Sequence, residues 1–130
     1  MKTVLKNGNV FYQNKIQKLD VEIDGETISQ IGHDLDGENI IDCTDLLVTP
    51  GFVDLHVHLR EPGFEHKGTI KTETLSAKYG GYTHIVAMAN TNPCMDDKET
   101  IEDFIQRVQK ASSIHTYTYS AMTKDLKGQE

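Results

Sequence analysis

The sequence predicts an α/β protein with a small all-β unit in front, and three observations carry that prediction. After Pro50, strand-like and helix-like runs alternate as strand, helix, strand, helix, strand, the order of a parallel sheet with crossover helices. Before Pro50 there are only short apolar runs divided by turn residues. The first strand after Pro50 places Asp54, His56, His58 and Arg60 at alternate positions and ends in the turn signal Glu61-Pro62-Gly63.

The first unit, residues 1–49, follows from strand and turn chemistry. Val4-Leu5 and Val10-Phe11-Tyr12 flank Asn7-Gly8-Asn9, which reads as a turn. Val21-Glu22-Ile23 and Thr27 to Ile31 flank Asp24-Gly25, a dipeptide favoured in tight hairpins. Ile40 to Cys43 and Leu46-Leu47-Val48 add two short strands. No cluster of catalytic residue types falls in this unit, so its residues are read as structural.

The second unit, residues 50–130, opens with a strand over 51–59. A helix is predicted from about Lys67 to Tyr79, stopped by Gly80-Gly81. Ile85 to Ala89 is uniformly apolar and reads as a strand buried on both faces. After the loop Asn90-Thr91-Asn92-Pro93, Ile101, Phe104, Ile105 and Val108 fall at i, i+3, i+4 and i+7, one face of a second helix. His115 to Met122 is the third strand, and the polar tail Lys124 to Glu130 reads as the entry to another helix. Three strands do not close a barrel, which takes eight strands and roughly 250 residues. The expectation is therefore the amino-terminal part of a longer polypeptide, with a compact three-stranded domain as the alternative.

Composition narrows the partners. A net charge of −7 argues against nucleic acid or an anionic membrane surface. No apolar stretch reaches the ~20 residues of a membrane span, and the N-terminus lacks a signal-peptide core. Cys43 and Cys94 form no CxxC pattern or disulfide framework. The expected setting is cytoplasmic and the expected partner a small molecule.

The strand at 51–59 carries the chemistry. Residues two apart on a strand are about 6.5–7 Å apart, a spacing from which two imidazoles reach one ion. Val53, Leu55, Val57 and Leu59 would bury the other face, leaving Asp54, His56, His58 and Arg60 a polar face that needs its own reason. His56 and His58 are the candidate metal ligands; two unrelated histidines are the plain alternative. Asp54, one step deeper, is read as supporting them rather than binding metal. The planar fork of Arg60 suits a carboxylate, against a surface ion pair with Glu61 or Glu65. Asn90 alone reads as a turn residue. Of the other histidines, His33, His84 and His115 are structural, and only His66 is placed to approach a ligand. Cys94 has nothing nearby to activate it.

The run Pro50-Gly51-Phe52-Val53-Asp54-Leu55-His56-Val57-His58-Leu59-Arg60-Glu61-Pro62-Gly63 resembles the entry motif of dihydroorotases in the amidohydrolase superfamily. Gly80-Gly81-Tyr82-Thr83 and Met88-Ala89-Asn90-Thr91-Asn92-Pro93 resemble that family's second strand and loop. The resemblance implies the N-terminal part of a metal-dependent (β/α)8 TIM barrel preceded by a small β-sandwich unit. It implies one or two zinc ions, with His56 and His58 as ligands. It assigns Arg60 and Asn90 to the substrate's carboxylate. The implied reaction is reversible, zinc-dependent hydrolysis of dihydroorotate to N-carbamoyl-L-aspartate in pyrimidine biosynthesis. A homo-oligomer or a pyrimidine-pathway enzyme partner is a further expectation. The remaining ligands and the proton-shuttling aspartate would fall after Glu130, so the 130 residues alone are expected to be inactive. Two alternatives stay open: another cyclic amidohydrolase of allantoinase or hydantoinase type, and a non-catalytic homologue acting as an assembly partner.

Overall fold

The computed structural model describes residues 1–128, and the chain divides into two units, Met1–Pro50 and Gly51–Glu130. In the first unit, β1 (Lys2–Tyr12), β2 (Lys15–Asp24), β3 (Thr27–Gly32), β4 (Asn39–Asp42) and β5 (Leu47–Val48) form one sheet. Its order is β3-β2-β1-β4, with β5 also on β1. This corrects the expected sandwich. β1 runs the length of the unit and pairs in parallel with β4 along Thr3–Lys6 and with β5 along Asn9–Val10, so one long strand serves what two layers would have done.

Asn7-Gly8-Asn9 is likewise not a turn but the bulge that bends β1. Leu5 pairs with Val21 and Gly8 with Leu19, leaving one extra residue on β1. Asn7 adopts φ 63°, and its N–H donates to Asp20 Oδ1 at 2.8 Å. Buried Asp20 takes a second bond from the Leu35 N–H at 3.1 Å, so its carboxylate is satisfied by backbone donors. The true β1–β2 turn is Gln13-Asn14, both at positive φ as a two-residue hairpin loop requires, but without the Asn-Gly signature that advertises one. Gly25, at φ 61°, turns β2 into β3 as the sequence indicates.

The second unit is the α/β part: β6 (Phe52–Val57), α1 (Ile70–Tyr79), β7 (Tyr82–Ala87), α2 (Lys98–Ala111) and β8 (His115–Thr118). The strands are parallel in the order β6-β7-β8. Its core gathers Leu59, Ile70, Ile85, Ala87, Ala89, Met95 and Phe104, with Ile101 and Val108 packed against it from α2. Ile105, expected on the same face, is 44% exposed because it sits at the margin of that stripe.

α1 starts three residues later than the sequence suggests. Thr69 caps it, accepting from the Thr72 N–H, while the Thr72 hydroxyl accepts from the Thr69 N–H. Residues before Thr69, Lys67 among them, therefore belong to the loop. The helix ends at Tyr79, with Gly81 left-handed at φ 85°. β7 begins earlier than its apolar run, at Tyr82. β8 stops at Thr118 because the chain turns so that the Ala121 N–H reaches the Met95 carbonyl at 2.8 Å. The tail makes a short turn over Lys124–Leu126, with Asp125 and Leu126 at positive φ; Gln129 and Glu130 lie outside the described residues.

Two predictions follow from this packing. Phe104 is 1% exposed at the centre of the second unit, so Phe104→Ala is expected to lose about 3–5 kcal/mol in urea unfolding. Asp96 ties the tail to the loop before α2. Its carboxylate accepts from the Asp125 N–H at 2.7 Å and from Lys124 at 2.9 Å, and these bonds hold it below the ordinary carboxylate range. A lowered folded pKa makes this contribution fully present above about pH 4 and lost as pH falls through the folded value. Asp96→Asn should therefore lower stability at neutral pH and flatten its fall below about pH 4, read as melting temperature against pH.

Candidate active site

Parallel strands bring the residues that follow them to one edge of the sheet, and here that edge collects the polar residues of two loops. Val57 pairs with Ala87, and the Met88 N–H donates to the Val57 carbonyl at 2.9 Å. His58 leaves the end of β6 and Asn90 the end of β7, and His58 Nδ1 meets Asn90 Oδ1 at 2.9 Å. An amide oxygen only accepts, so Nδ1 is the donor of this bond, and Nε2 makes no hydrogen bond among the described residues. The His56 ring lies edge-on to it, with centroids 5.4 Å apart. Both imidazoles are exposed.

Strict alternation along β6 does not hold. Asp54 pairs with Ile85 and Val57 with Ala87, so three steps on β6 oppose two on β7. Asp54 thereby comes to line the same concavity as Val57 and His58, beside Glu73 and Ser76 of α1. Its Oδ1 accepts from the His56 N–H at 2.9 Å, a local bond that shapes the bulge. Val53 and Leu55 are 57% and 60% exposed, so the expected apolar back of the strand is not buried along its length.

The buried anchor is Leu59, 4% exposed in the core between the outward His58 and Arg60. Immediately after it the chain makes a γ-turn. The Glu61 N–H donates to the Leu59 carbonyl at 2.8 Å, with Arg60 at φ 68°. A left-handed arginine costs on the order of 1–3 kcal/mol, and such strain clusters where a side chain must be aimed. The expected rivals for its guanidinium are otherwise engaged. Glu61 accepts from the Ile70 N–H at 2.9 Å and from Arg107 at 3.3 Å, and Glu65 turns both oxygens to the Gly63 N–H at 3.0 Å. Those backbone bonds hold the Glu65 carboxyl below its ordinary range. Arg60 makes no ion pair among the described residues.

The two loops are also clipped together, the Asn92 N–H donating to the Pro62 carbonyl at 3.0 Å. Between them lies a cavity of about 160 Å³ lined by His58, Arg60, Phe64, Lys67 and Asn90 among others. Phe64 and Lys67 escaped the sequence reading because Lys67 was placed in the helix. The signal available was the Glu-Pro-Gly turn, which keeps the chain in a loop until the Thr69 cap.

Among the described residues no three His, Cys, Asp or Glu side chains converge as a metal set. His66 is exposed and does not line the cavity; His84 and His115 stack on each other at 4.6 Å between centroids, within the sheet. Burial pushes the Cys94 thiol up, with Asp96 adding to it, away from nucleophilic use.

Residues 45–130 match the dihydro-orotase-like family. The chain belongs to that family. It is 44% identical over its full length to a dihydroorotase of Bacillus pumilus, and 42% identical over 96% of its length to one of Lactobacillus johnsonii. It spans about three-tenths of each: 31% of the first and 29% of the second. Among solved structures, an L-hydantoinase (dihydropyrimidinase) from Arthrobacter aurescens superposes with a TM-score of 0.82 over 93% of this chain and 28% of its own. At 22% identity that likeness is one of fold.

Within this family member the loop clip gives a direct test. Gly63 sits at φ 94°, and a Cβ there would run into the Asn92 carbonyl oxygen. Gly63→Ala is expected to cost about 1 kcal/mol or more and to speed hydrogen exchange at the Asn92 amide, leaving the β7 amides unchanged.

Proposed function

We propose that this chain supplies the first metal ligands and the carboxylate reader of a zinc-dependent dihydroorotase. In this reading its second unit is the opening of a (β/α)8 barrel. The observation that carries the proposal is a His58 oriented by Asn90 beside an Arg60 with no carboxylate partner among the described residues. Sequence identity above 40% to dihydroorotases supports the substrate; the hydantoinase likeness supports only the fold.

The reaction opens a cyclic amide. Water adds to the ring carbonyl carbon, the C–N bond breaks, the nitrogen takes a proton, and a second carboxylate appears beside the one already present. His56 and His58 would hold zinc through their outward nitrogens, together with ligands outside these residues. Zinc bound there supplies Lewis acidity and lowers the pKa of water towards about 7. Asn90 holds the His58 ring by its Nδ1 side, which leaves Nε2 as the nitrogen to face the metal. Arg60 takes the substrate's carboxylate in a bidentate fork, and the Leu59 anchor and γ-turn fix where that fork points. Orientation of the ring is the contribution of these residues; they abstract no proton.

The test uses the full-length protein. Zinc content and interconversion of dihydroorotate with N-carbamoyl-L-aspartate should both be present. His56→Ala and His58→Ala should lose zinc and turnover together. Arg60→Ala should keep zinc and raise KM by about 10²-fold, the loss of a charge-assisted bidentate contact. The 130-residue chain alone should show no turnover. Turnover of hydantoin or allantoin in preference to dihydroorotate would move the protein to another cyclic amidohydrolase class. Absence of zinc and of all turnover would leave a non-catalytic homologue.

A further inference from the structure

Lys67 has no place in the account so far, and its surroundings give it one. Its backbone N–H donates to the Phe64 carbonyl at 2.9 Å, and its ammonium lies 5.5 Å from the centroid of the Phe64 ring. That contact restrains a flexible side chain without neutralising it. Lys67 makes no ion pair among the described residues. Glu65, two residues away, is committed to the Gly63 N–H, and Glu61 to Ile70 and Arg107. Lys67 lines the same cavity as Arg60 and Asn90, and no Asp or Glu among the described residues lines it. In a chain with a net charge of −7 this is a local reversal of sign. Two cations around a small concavity focus potential on whatever anion enters.

We infer that Lys67 is a second cation for the substrate's carboxylate, a specificity-determining residue beside Arg60. The assignment rests on the proposed function, in which Arg60 forks that carboxylate. The carboxylate is common to the ring and to its open-chain product, so Lys67 stabilises both ground states and the transition state between them alike. Uniform binding of this kind appears in KM and not in kcat. The reaction's equilibrium constant also requires the loss in kcat/KM to be equal in the two directions.

The experiment is steady-state kinetics of the full-length zinc enzyme in both directions, for the parent, Lys67→Gln and Lys67→Arg. Lys67→Gln should raise KM for dihydroorotate and for N-carbamoyl-L-aspartate by the same factor, about tenfold for the loss of one charged contact. Its kcat, zinc content and melting temperature should match the parent. Its kcat/KM should fall less steeply with added salt, and Lys67→Arg should restore most of the affinity. Unchanged KM values, a loss confined to kcat, or a KM effect in one direction only would overturn the assignment while leaving the proposed function standing. A parent enzyme that interconverts neither compound would overturn both.

Discussion

Burial of Leu59 is the contact on which the rest of the site depends. It is the first side chain after β6 to enter the core, and its neighbours in sequence are therefore forced outward, His58 on one side and Arg60 on the other. Burying a leucine is worth about 1.5–3 kcal/mol, the same order as the cost of a left-handed arginine at φ 68°. A strained γ-turn thus persists at the mouth of the sheet because the residue before it is pinned. Arg60 is aimed by that apolar contact, and His58 by it together with its bond to Asn90. Arg60 is consequently left without an ion pair among the described residues, as the proposed function requires of it.

Electrostatics around this anchor are arranged by removing competitors. Glu61 and Glu65 are adjacent to the cations in sequence and would neutralise them in an unfolded or poorly ordered loop. Glu61 is drawn instead to the first backbone N–H of α1 and to Arg107 of α2, its side chain only 17% exposed. Glu65 folds back on its own loop. A helix N-terminus is a favourable place for a carboxylate, so the bond to Ile70 fastens the loop to α1 and clears the cavity of negative charge in the same contact.

The order of elements in the second unit was legible because it depends on periodicity and punctuation: the α2 face through Ile101, Phe104 and Val108, and the Gly80-Gly81 stop. His56 and His58 stood out for the same reason, two imidazoles at strand spacing before a Pro-Gly turn. What was not legible depends on competition between distant groups. The β6 bulge needs the register against β7. The late start of α1 needs the reciprocal Thr69–Thr72 cap to prevail over the helix propensity of Lys67. The continuity of β1 through Asn7-Gly8 needs buried Asp20, whose carboxylate takes the Asn7 N–H and turns an apparent turn into a bulge. Each is a tertiary contact overriding a sound local preference.

Asn90 shows how the two kinds of information combine. Its sequence context, Asn-Thr-Asn-Pro, is turn chemistry, and by itself it argues for nothing more. The parallel pairing of β6 with β7 brings it level with His58, 32 positions away in the chain. With the amide oxygen accepting from Nδ1–H, the imidazole ring is held on that side and Nε2 is left for the ligand proposed above. The same amide still has its N–H₂ free to donate, and an anion beside it is the complementary acceptor. Under the proposed function one side chain serves His58 through its oxygen and the substrate's carboxylate through its nitrogen. Under that proposal an amide suits the end of the second strand better than a charged side chain: a carboxylate there would orient His58 equally well but would repel the anion proposed for Arg60.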